Sequence, residues 1–266
     1  MINTDPHPSI VWLASYPRSG NTFFRNILFH VYGIESLTYH LQNKDELDRN
    51  TLEKRTFVKT HLTPDQIPIL EGDQVIYLVR DGRDSVLSRA HRKKNMVDRF
   101  SNFKVNLINF ISSQYPGGSW SGHVSSWAKY ATVTVKFEEL IEDPIGQTKR
   151  IEECMPMPSP DWAQMPTFES QKQGNARYVT GNSTVFFRKG KIGSWKEEIP
   201  SRYILLFNKL HGNTLFELNY TERPNHFSRL DQLIIYSTFV EAKFFQYLNL
   251  YYRLVNKILS LKGNNK

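Results

Sequence analysis

Short apolar runs separated by polar, glycine-containing loops dominate the first part of the chain. The runs at 10–14, 56–60, 74–79 and 132–137 are rich in β-branched and aromatic residues, which favours buried strands. Residues 22–32 have helical spacing and end at Gly33. Asp84 is expected to cap a basic helix that runs to about residue 94. Strands that alternate with helices predict an α/β domain whose central parallel sheet is flanked by helices.

The pattern weakens between residues 97 and 127, where we expect helices and a loop at 115–119. Residues 179–199 contain three glycines and read as a long loop, which suggests a lid over a site. Ser201 is expected to cap a helix that ends near residue 211. Aromatic residues recur at helical spacing from 229 to 262. We therefore divide the chain into a domain at 1–225 and a C-terminal aromatic helical extension at 226–266.

The extension permits three interpretations. Its apolar side packs on its own domain, covers a second copy in a homodimer, or lies as a peripheral contact on a membrane surface because lysines and arginines are interspersed. The chain has no apolar run of about 18 residues. Its first residues have neither the basic start nor the apolar core of a signal peptide. A cytoplasmic protein is expected.

Composition narrows the class of ligand. The chain of 266 residues is 39% hydrophobic and 23% charged, as in a folded globular protein. Its net charge of +8 suits a polyanion: a phosphorylated nucleotide, a nucleic acid or an anionic membrane. With one cysteine, no intramolecular disulfide can form.

The loop Tyr16-Pro-Arg-Ser-Gly-Asn-Thr22 lies between a predicted strand and a predicted helix. Unpaired N–H groups and the helix dipole attract an anion at such a helix start. Gly20 allows close approach of the backbone, and Arg18 supplies a charge-assisted fork. Ser19, Asn21 and Thr22 add short polar contacts. The loop is P-loop-like, but its letters differ from the nucleotide-kinase pattern, which disfavours an ATP or GTP kinase.

This loop resembles the first signature of the cytosolic-type sulfotransferases that use 3′-phosphoadenosine 5′-phosphosulfate (PAPS), Tyr-Pro-Lys-Ser-Gly-Thr-Thr-Trp. The resemblance implies a P-loop-like α/β fold and places residues 18–22 at the 5′-phosphosulfate end of PAPS. Arg18 replaces the usual lysine, and Phe23 replaces a tryptophan that often stacks on adenine. Arginine binds anions but is not a compact point charge, and phenylalanine stacks with less area.

Two further signatures match in order. Arg80 and Ser88 have the family's arginine-to-serine spacing, which implies contacts with the 3′-phosphate. Arg188-Lys-Gly-Lys-Ile-Gly-Ser-Trp-Lys196 resembles Arg-Lys-Gly-x-x-Gly-Asp-Trp-Lys, with Ser194 in place of aspartate. This match implies that Arg188, Lys189 and Gly190 clamp the same phosphate.

Weaker agreement lies between and beyond these motifs. Phe137 takes the place of a family tyrosine near the nucleotide, and Thr167 and Phe168 resemble a pair beside the adenine. The resemblance covers about residues 10–211 and leaves the tail out.

The Lys59-Thr-His61 tripeptide follows the second predicted strand and matches the family's Lys-Thr-His. The resemblance implies that His61 is the general base, and an ordinary histidine pKa near 6.5 suits that role. Lys59 and Arg18 would stabilise charge on the transferred group. His123 either faces the acceptor or packs in the core. No residues have metal-ligand spacing, so no metal is expected.

The sequence thus predicts a sulfotransferase that moves a sulfuryl group from PAPS, with 3′-phosphoadenosine 5′-phosphate (PAP) as product. The acceptor is a small molecule with a hydroxyl or, with less support, an amine. Two alternatives stay open: a PAP-binding protein with little catalysis, and a basic nucleic-acid-binding protein. The leading interpretation includes no nucleic-acid partner.

Overall fold

The computed structural model describes residues 9–41, 47–52, 54–98, 101–112, 118–174, 176–179, 190–222 and 226–263. The strands in these ranges are β1 Ile10–Ser15, β2 Ser36–Tyr39, β3 Thr56–Thr60, β4 Gln74–Val79 and β5 Val133–Lys136. The helices are α1 Asn21–Tyr32, α2 Gly82–Arg92, α3 Phe103–Ser112, α4 Trp120–Ala128, α5 Phe137–Glu142, α6 Pro144–Cys154, α7 Phe168–Lys172, α8 Trp195–Glu198, α9 Ser201–Glu217 and α10 Arg229–Gly263. A π-helical stretch, Lys93–Val97, follows α2, and short 3₁₀ turns occur at Arg49–Thr51, Pro64–Gln66 and Trp162–Gln164.

The five strands form one parallel sheet in the order β2-β3-β1-β4-β5. The central strand β1 pairs with β3 on one side and with β4 on the other. All strands run in the same direction, so their carboxyl ends share one edge of the sheet. Loops that follow β1, β3, β4 and β5 therefore converge there, as open α/β sheets require for ligand binding. The predicted α/β class with a central parallel sheet is confirmed.

The chain divides into two compact units. One comprises Met1–Ser85 and Tyr115–Ser194 and contains the sheet. The other comprises Val86–Gln114 and Trp195–Lys266 and is helical. Helix α2 crosses the division. The predicted boundary at residue 225 stays a prediction.

Side chains from both faces of the sheet are buried in the sheet-containing unit. On one face, Val11, Leu13, Ile76 and Leu78 form a core with apolar residues of α1, α5 and α6. On the other face, the Tyr77 ring stacks on Trp127 of α4. Strands buried on both faces explain the continuous apolar runs that the sequence shows.

A carboxylate fixes the amino end of the central strand. Asp73 accepts hydrogen bonds from the backbone N–H of Ile10 and from Nε1 of Trp12, both at 3.0 Å. Arg49 donates to both oxygens of the same carboxylate, at 2.9 and 2.5 Å. These charge-assisted bonds lower the pKa of Asp73 despite its partial burial.

The helical unit is held together by α3, α9 and α10, which pack on one another. Helix α10 matches the aromatic helix predicted at 229–262 almost residue for residue. Glu241 on α10 binds Lys104 of α3 at 2.9 Å and Arg202 of α9 at 3.1 Å. One carboxylate thereby connects three helices.

Two predicted helix caps are wrong. Asp84 lies inside α2; Asp81 stands before the helix instead and accepts a hydrogen bond from the backbone N–H of Arg83 at 2.9 Å. Pro200, not Ser201, precedes α9, which continues to Glu217 rather than ending near residue 211.

Candidate active site

The loop between β1 and α1 presents a left-handed turn at the start of the helix. Gly20 is the residue before the first helical turn and has φ of 91°. Arg18, two residues earlier, has φ of 74°, which is unusual for a residue with a side chain. The backbone N–H of Ser19 donates to the carbonyl oxygen of Tyr16 at 3.3 Å. Helix α1 has no acidic residue in its first turn and no side-chain cap, a suitable arrangement for an incoming anion.

The Ser and Asn side chains of this loop are also used within the protein. Nδ2 of Asn21 donates to the carbonyl oxygen of Leu13 at 2.9 Å and to Oγ of Ser15 at 3.1 Å. Oγ of the buried Ser19 lies 3.5 Å from Oγ of Ser85. Thr22 is half-buried in the first turn of α1. These contacts fix the loop against the sheet.

Gly20 rests on an aromatic ring. A Cβ atom at Gly20 would lie 2.3 Å from Cδ2 of Phe137, so no larger residue fits there without displacement of the ring. Phe137 is buried at the start of α5, one residue after β5, although the sequence placed it at the end of that strand. Its ring thus forms a floor beneath the loop.

Arg80 lies over the same ring, with its guanidinium carbon 4.5 Å from the ring centroid. Arg80 follows the carboxyl end of β4. Its Nη2 donates to the carbonyl oxygen of Lys191 at 3.3 Å and lies 3.6 Å from a carboxylate oxygen of Asp84. Its Nε is buried and has no hydrogen-bond partner among the residues that the structure describes. A buried donor of this kind is the group that an anionic ligand would satisfy.

The last residues of the predicted lid, from Gly190 onward, contact this cluster. The backbone N–H of Gly193 donates to Oδ2 of Asp84 at 2.7 Å. The buried Ser194, which replaces the family's aspartate, donates through Oγ to the carbonyl oxygen of Lys191 at 3.3 Å. Arg188 and Lys189 lie outside the described residues, so their predicted contacts stay predictions.

Gly190 lies against Phe168, which forms an aromatic pair with Phe23. A Cβ at Gly190, where φ is 61°, would lie 2.4 Å from Cε1 of Phe168. The ring centroid of Phe168 is 5.9 Å from that of Phe23 on α1. The structure thus brings together Phe23, Phe168 and Gly190, which lie far apart in sequence. Thr167 caps the short helix α7, since its Oγ1 accepts from the backbone N–H of Ser170 at 3.1 Å.

His61 follows β3 and is held by the loop after β1. Its Nδ1 lies 2.8 Å from the carbonyl oxygen of Ser15 and 3.3 Å from the Oγ of that residue. A carbonyl oxygen can only accept, so Nδ1 carries the proton and Nε2 has a free lone pair. Burial, reinforced by the positive charge of Lys59, lowers the pKa of His61 well below 6.5. The imidazole is therefore neutral at pH 7 and able to accept a proton.

His123 packs in the core, which answers the choice that the sequence left open. Its ring is buried, and its Nδ1 lies 2.9 Å from the hydroxyl oxygen of Tyr77. Burial lowers the pKa of His123 to about 3. From the same helix, Nε1 of Trp127 donates to the carbonyl oxygen of Leu62 at 3.0 Å. Helix α4 thus supports the chain directly after His61.

Ser88 lies on helix α2, is partly buried, and belongs to the helical unit, whereas Arg80 belongs to the other. Its predicted role therefore stays a prediction. Among the described residues no group of histidine, cysteine, aspartate and glutamate side chains could hold a metal ion. In the same part of the chain, every helix is too short or too polar to cross a membrane.

Sequence reasoning missed three residues of this site. Ser15 orients His61 through its backbone oxygen. Asp84 accepts a hydrogen bond from the backbone N–H of Gly193, and Glu138 accepts one from the backbone N–H of Asp81 at 3.0 Å. Glu138 directly follows Phe137, and Asp84 was predicted only as a helix cap. Neither residue type carries a signal of these partners, which are 57 and 109 residues away in sequence. A backbone contact such as that of Ser15 leaves no trace in residue type.

Comparison with known proteins gives a consistent result. A family model described as "Sulfotransferase domain" matches residues 8–218. Sulfotransferase 1E1 of Mus musculus is 27% identical over 233 residues, covering 73% of this chain and 79% of the relative. A crystal structure of mouse sulfotransferase SULT7A1 complexed with PAP superposes with a TM-score of 0.65 at 20% identity, covering 79% of this chain and 84% of that one. A structure of retinol dehydratase in a complex with retinol and PAP has a TM-score of 0.60 at 22% identity, covering 80% and 83%.

Proposed function

This chain belongs to the sulfotransferase domain family, and from that premise we propose that it transfers a sulfuryl group from PAPS to a hydroxyl group of a small acceptor. The observation that carries the proposal is the layer formed by Gly20, Phe137 and Arg80. Gly20, in a left-handed conformation before the first turn of α1, packs on the Phe137 ring. The guanidinium of Arg80, whose Nε is a buried donor, lies over the same ring.

The residues fit the anionic ends of PAPS. The loop at 18–22 offers backbone N–H groups and the start of helix α1 to the phosphosulfate. Arg80 keeps a buried Nε without a partner among the described residues, which suits the 3′-phosphate. Phe23 and Phe168 are in ring contact, with Gly190 against Phe168, and together they form an apolar surface on which an adenine could stack. Bound PAPS supplies an activated sulfuryl group whose leaving group is a phosphate oxygen.

The chemistry falls to the side chains at the sheet edge. Nε2 of His61 takes the proton from the acceptor hydroxyl as the acceptor oxygen forms its bond to sulfur. Arg18 and Lys59 stabilise the negative charge that gathers as the bond between sulfur and the phosphate oxygen breaks, and PAP leaves. By analogy with phosphoryl transfer, positioning and charge stabilisation supply most of the rate enhancement.

Arginine at position 18 changes how that charge is met. Its planar guanidinium spreads charge over a fork, whereas an ammonium concentrates it at one atom. Arg18 is also confined to a left-handed backbone conformation. We therefore assign the more compact cationic role to Lys59, which is close enough to His61 to affect its pKa.

The acceptor is proposed to be a small molecule. The retinol dehydratase structure is a complex with retinol and PAP, which supports this class of acceptor for the fold. A neutral His61 suits a hydroxyl, whose proton must leave during attack; an amine acceptor is the less favoured choice. A cytoplasmic location stays a prediction.

Isothermal titration of the purified protein with PAP, with ATP as control, tests the donor site. We expect micromolar PAP affinity and much weaker ATP binding. Transfer of labelled sulfate from PAPS to a panel of small alcohols, phenols and amines then tests turnover.

The outcomes separate the three functions. PAP binding with no transfer to any acceptor would favour a PAP-binding protein. Polynucleotide binding that weakens steeply with salt and that PAP does not displace would favour a nucleic-acid-binding protein. Absence of PAP binding would overturn the proposal.

A further inference from the structure

Helix α10 lies outside the segment matched by the family model, which ends at residue 218. One of its faces is committed to the helical unit. Ile235, Thr238 and Ala242 are buried, and Glu241 is bound by Lys104 and Arg202. The hydroxyl of Tyr203 adds a hydrogen bond to Glu241 at 3.2 Å. These contacts set the rotation of α10 about its own axis and hence determine which side chains face outward.

The outward side carries a continuous apolar row, here called the tail stripe. Its members are spaced three or four residues apart and are between 50% and 71% exposed: Leu230, Leu233, Tyr236, Val240, Phe244, Tyr247 and Tyr251. At 100° per residue, the tail stripe lies roughly opposite the buried face. Scattered exposed apolar residues are ordinary, but a row of seven on one helix is not.

We propose that the tail stripe is the contact surface of a homodimer, in which it packs against the tail stripe of a second copy of this chain. Spacing of three and four residues sustained over the 22 residues from Leu230 to Tyr251 is the pattern of a helix-to-helix seam. The row runs about 31 Å along the helix at about 1.5 Å per residue. An aromatic side chain contributes about 150–250 Å² when fully buried, so the exposed area of the tail stripe is on the order of 800 Å². Each partner in a standard protein–protein interface buries about this area.

The composition of the tail stripe also favours a protein partner. Three of its seven members are tyrosines, which combine a large rigid apolar ring with a polar tip and are enriched at protein interfaces. A lipid-bound helix usually has a wide apolar face with a basic polar face behind it. Here the face behind the stripe is already packed against α3 and α9.

The helix dipole sets the orientation of the two copies. A parallel pair would place two dipoles of the same direction side by side, whereas an antiparallel pair aligns them favourably. The two helices of the dimer therefore run antiparallel, with Val240 near the twofold axis.

Sedimentation equilibrium of the full chain at tens of micromolar tests the dimer. We expect a mass of twice the 31.1 kDa chain. Phe244→Glu should reduce the mass to that of one chain because it buries a carboxylate in the seam. Phe216→Glu is the matched control, since Phe216 is also an exposed helical phenylalanine but lies on α9. It should leave the dimer intact.

A wild-type protein that is monomeric at this concentration would overturn the proposal. A dimer that persists in Phe244→Glu, with circular dichroism showing intact helices, would also overturn it. Cosedimentation of a monomeric protein with vesicles of phosphatidylcholine and phosphatidylserine, lost in Phe244→Glu, would assign the tail stripe to a lipid surface instead.

Disulfide trapping tests the orientation. Because Cys154 is exposed, the variants are made in a Cys154→Ser background. In an antiparallel dimer, the Val240→Cys variant should form a disulfide between position 240 of the two subunits, whereas the Tyr251→Cys variant should not form one between its two positions 251. A mixture of Leu230→Cys and Tyr251→Cys proteins should cross-link to each other. Cross-linking of Tyr251→Cys with itself would contradict the antiparallel arrangement.

Discussion

Nδ1 of His61 lies 2.8 Å from the carbonyl oxygen of Ser15, across the edge of the sheet from β3 to β1. This contact joins the two loops to which the sequence assigns catalysis and donor binding. The tautomer of the histidine is therefore fixed by the backbone of the strand that leads into the loop at 16–22. Displacement of that loop would also release the imidazole.

His61→Ala should reduce kcat by about 10²–10⁴ because it removes the proton acceptor. PAP affinity should stay within a factor of a few, since no donor contact is assigned to the ring. Steady-state kinetics and titration with PAP measure the two quantities. His226→Ala, which removes an exposed histidine, serves as control. An unchanged kcat in His61→Ala would contradict the assignment of the base.

The pH profile of kcat/KM should reflect the lowered pKa of His61. Burial and the charge of Lys59 place this pKa well below 6.5. The base is unprotonated above its pKa, so the rate should stay level from neutral pH to below pH 6.5 and fall only in more acidic buffer. Lys59→Met removes the second cause and should move the acidic limb upward. A limb in the wild-type protein at or above pH 6.5 would be inconsistent with this environment.

Gly20→Ala should abolish measurable PAP binding. Its Cβ would lie 2.3 Å from Phe137, and its φ of 91° adds about 1–2 kcal/mol of backbone strain. Gly33→Ala is a matched control, because Gly33 has φ of 64° but open space around its missing Cβ. Both variants should lose stability in thermal unfolding, but only Gly20→Ala should lose PAP. Equal PAP affinities in the two variants would show that the aromatic floor beneath the loop is irrelevant.

Arg80→Gln should weaken PAP binding about 10- to 100-fold, the range expected for one charge-assisted hydrogen bond of ~1.5–3 kcal/mol. The control is Arg89→Gln, which removes an arginine that also stacks on an aromatic ring, with its guanidinium carbon 4.1 Å from the ring centroid of Phe110. Calorimetry with PAP compares the two. Similar losses in both variants would indicate a general charge effect rather than a specific contact.

The stability of the fold should decrease as the pH is lowered because of His211, whose Nε2 lies 3.1 Å from the carbonyl oxygen of Ile111. Burial lowers the pKa of His211 to about 4, below its ordinary value of about 6.5. Between these values the unfolded chain binds a proton that the folded chain does not. The contribution of the neutral His211 to the free energy of unfolding is therefore fully present above about pH 6.5 and declines as the pH falls towards 4.

His211→Gln removes the group that takes up this proton on unfolding, so the stability of the variant should depend less on pH. The slope of its unfolding free energy between pH 6 and 4.5, measured by urea denaturation, should be smaller than the wild-type slope by about 1 kcal/mol per pH unit. The neighbouring contributions, including that of His123, are the same in both proteins. Identical slopes would show that His211 is not kept neutral by the fold.

The sequence predicted four of the five described strands, because β1, β3, β4 and β5 are apolar runs buried in a sheet. Strand β2 was missed: its Ser36-Leu-Thr-Tyr39 segment is four residues long, lies at the edge, and exposes Leu37. The wrong cap at Asp84 has a tertiary cause. Its carboxylate is engaged by Gly193, 109 residues away, and no local pattern encodes that contact.

For the candidate site, motif order predicted which loops meet but not how they touch. The sequence pointed to Arg80 and Phe137 separately, but their stacking could not be predicted because the ring belongs to α5 rather than to the strand before it. Similarly, the Lys-Thr-His motif identified His61, but its tautomer depends on a backbone oxygen of Ser15. Residue type identifies candidate chemistry, whereas packing of backbone and rings determines its geometry.

The strand order has a consequence for biosynthesis. Central strand β1 is made first, yet both of its neighbours, β3 and β4, come from later in the chain. During translation the loop at 16–22 therefore stays without its supporting sheet until the chain has passed Val79, and Phe137 reaches it later still. Non-local pairing of this kind slows folding. The ability to bind the nucleotide is thus acquired only after about half of the chain has been made, and the appearance of PAP binding would report completion of the sheet.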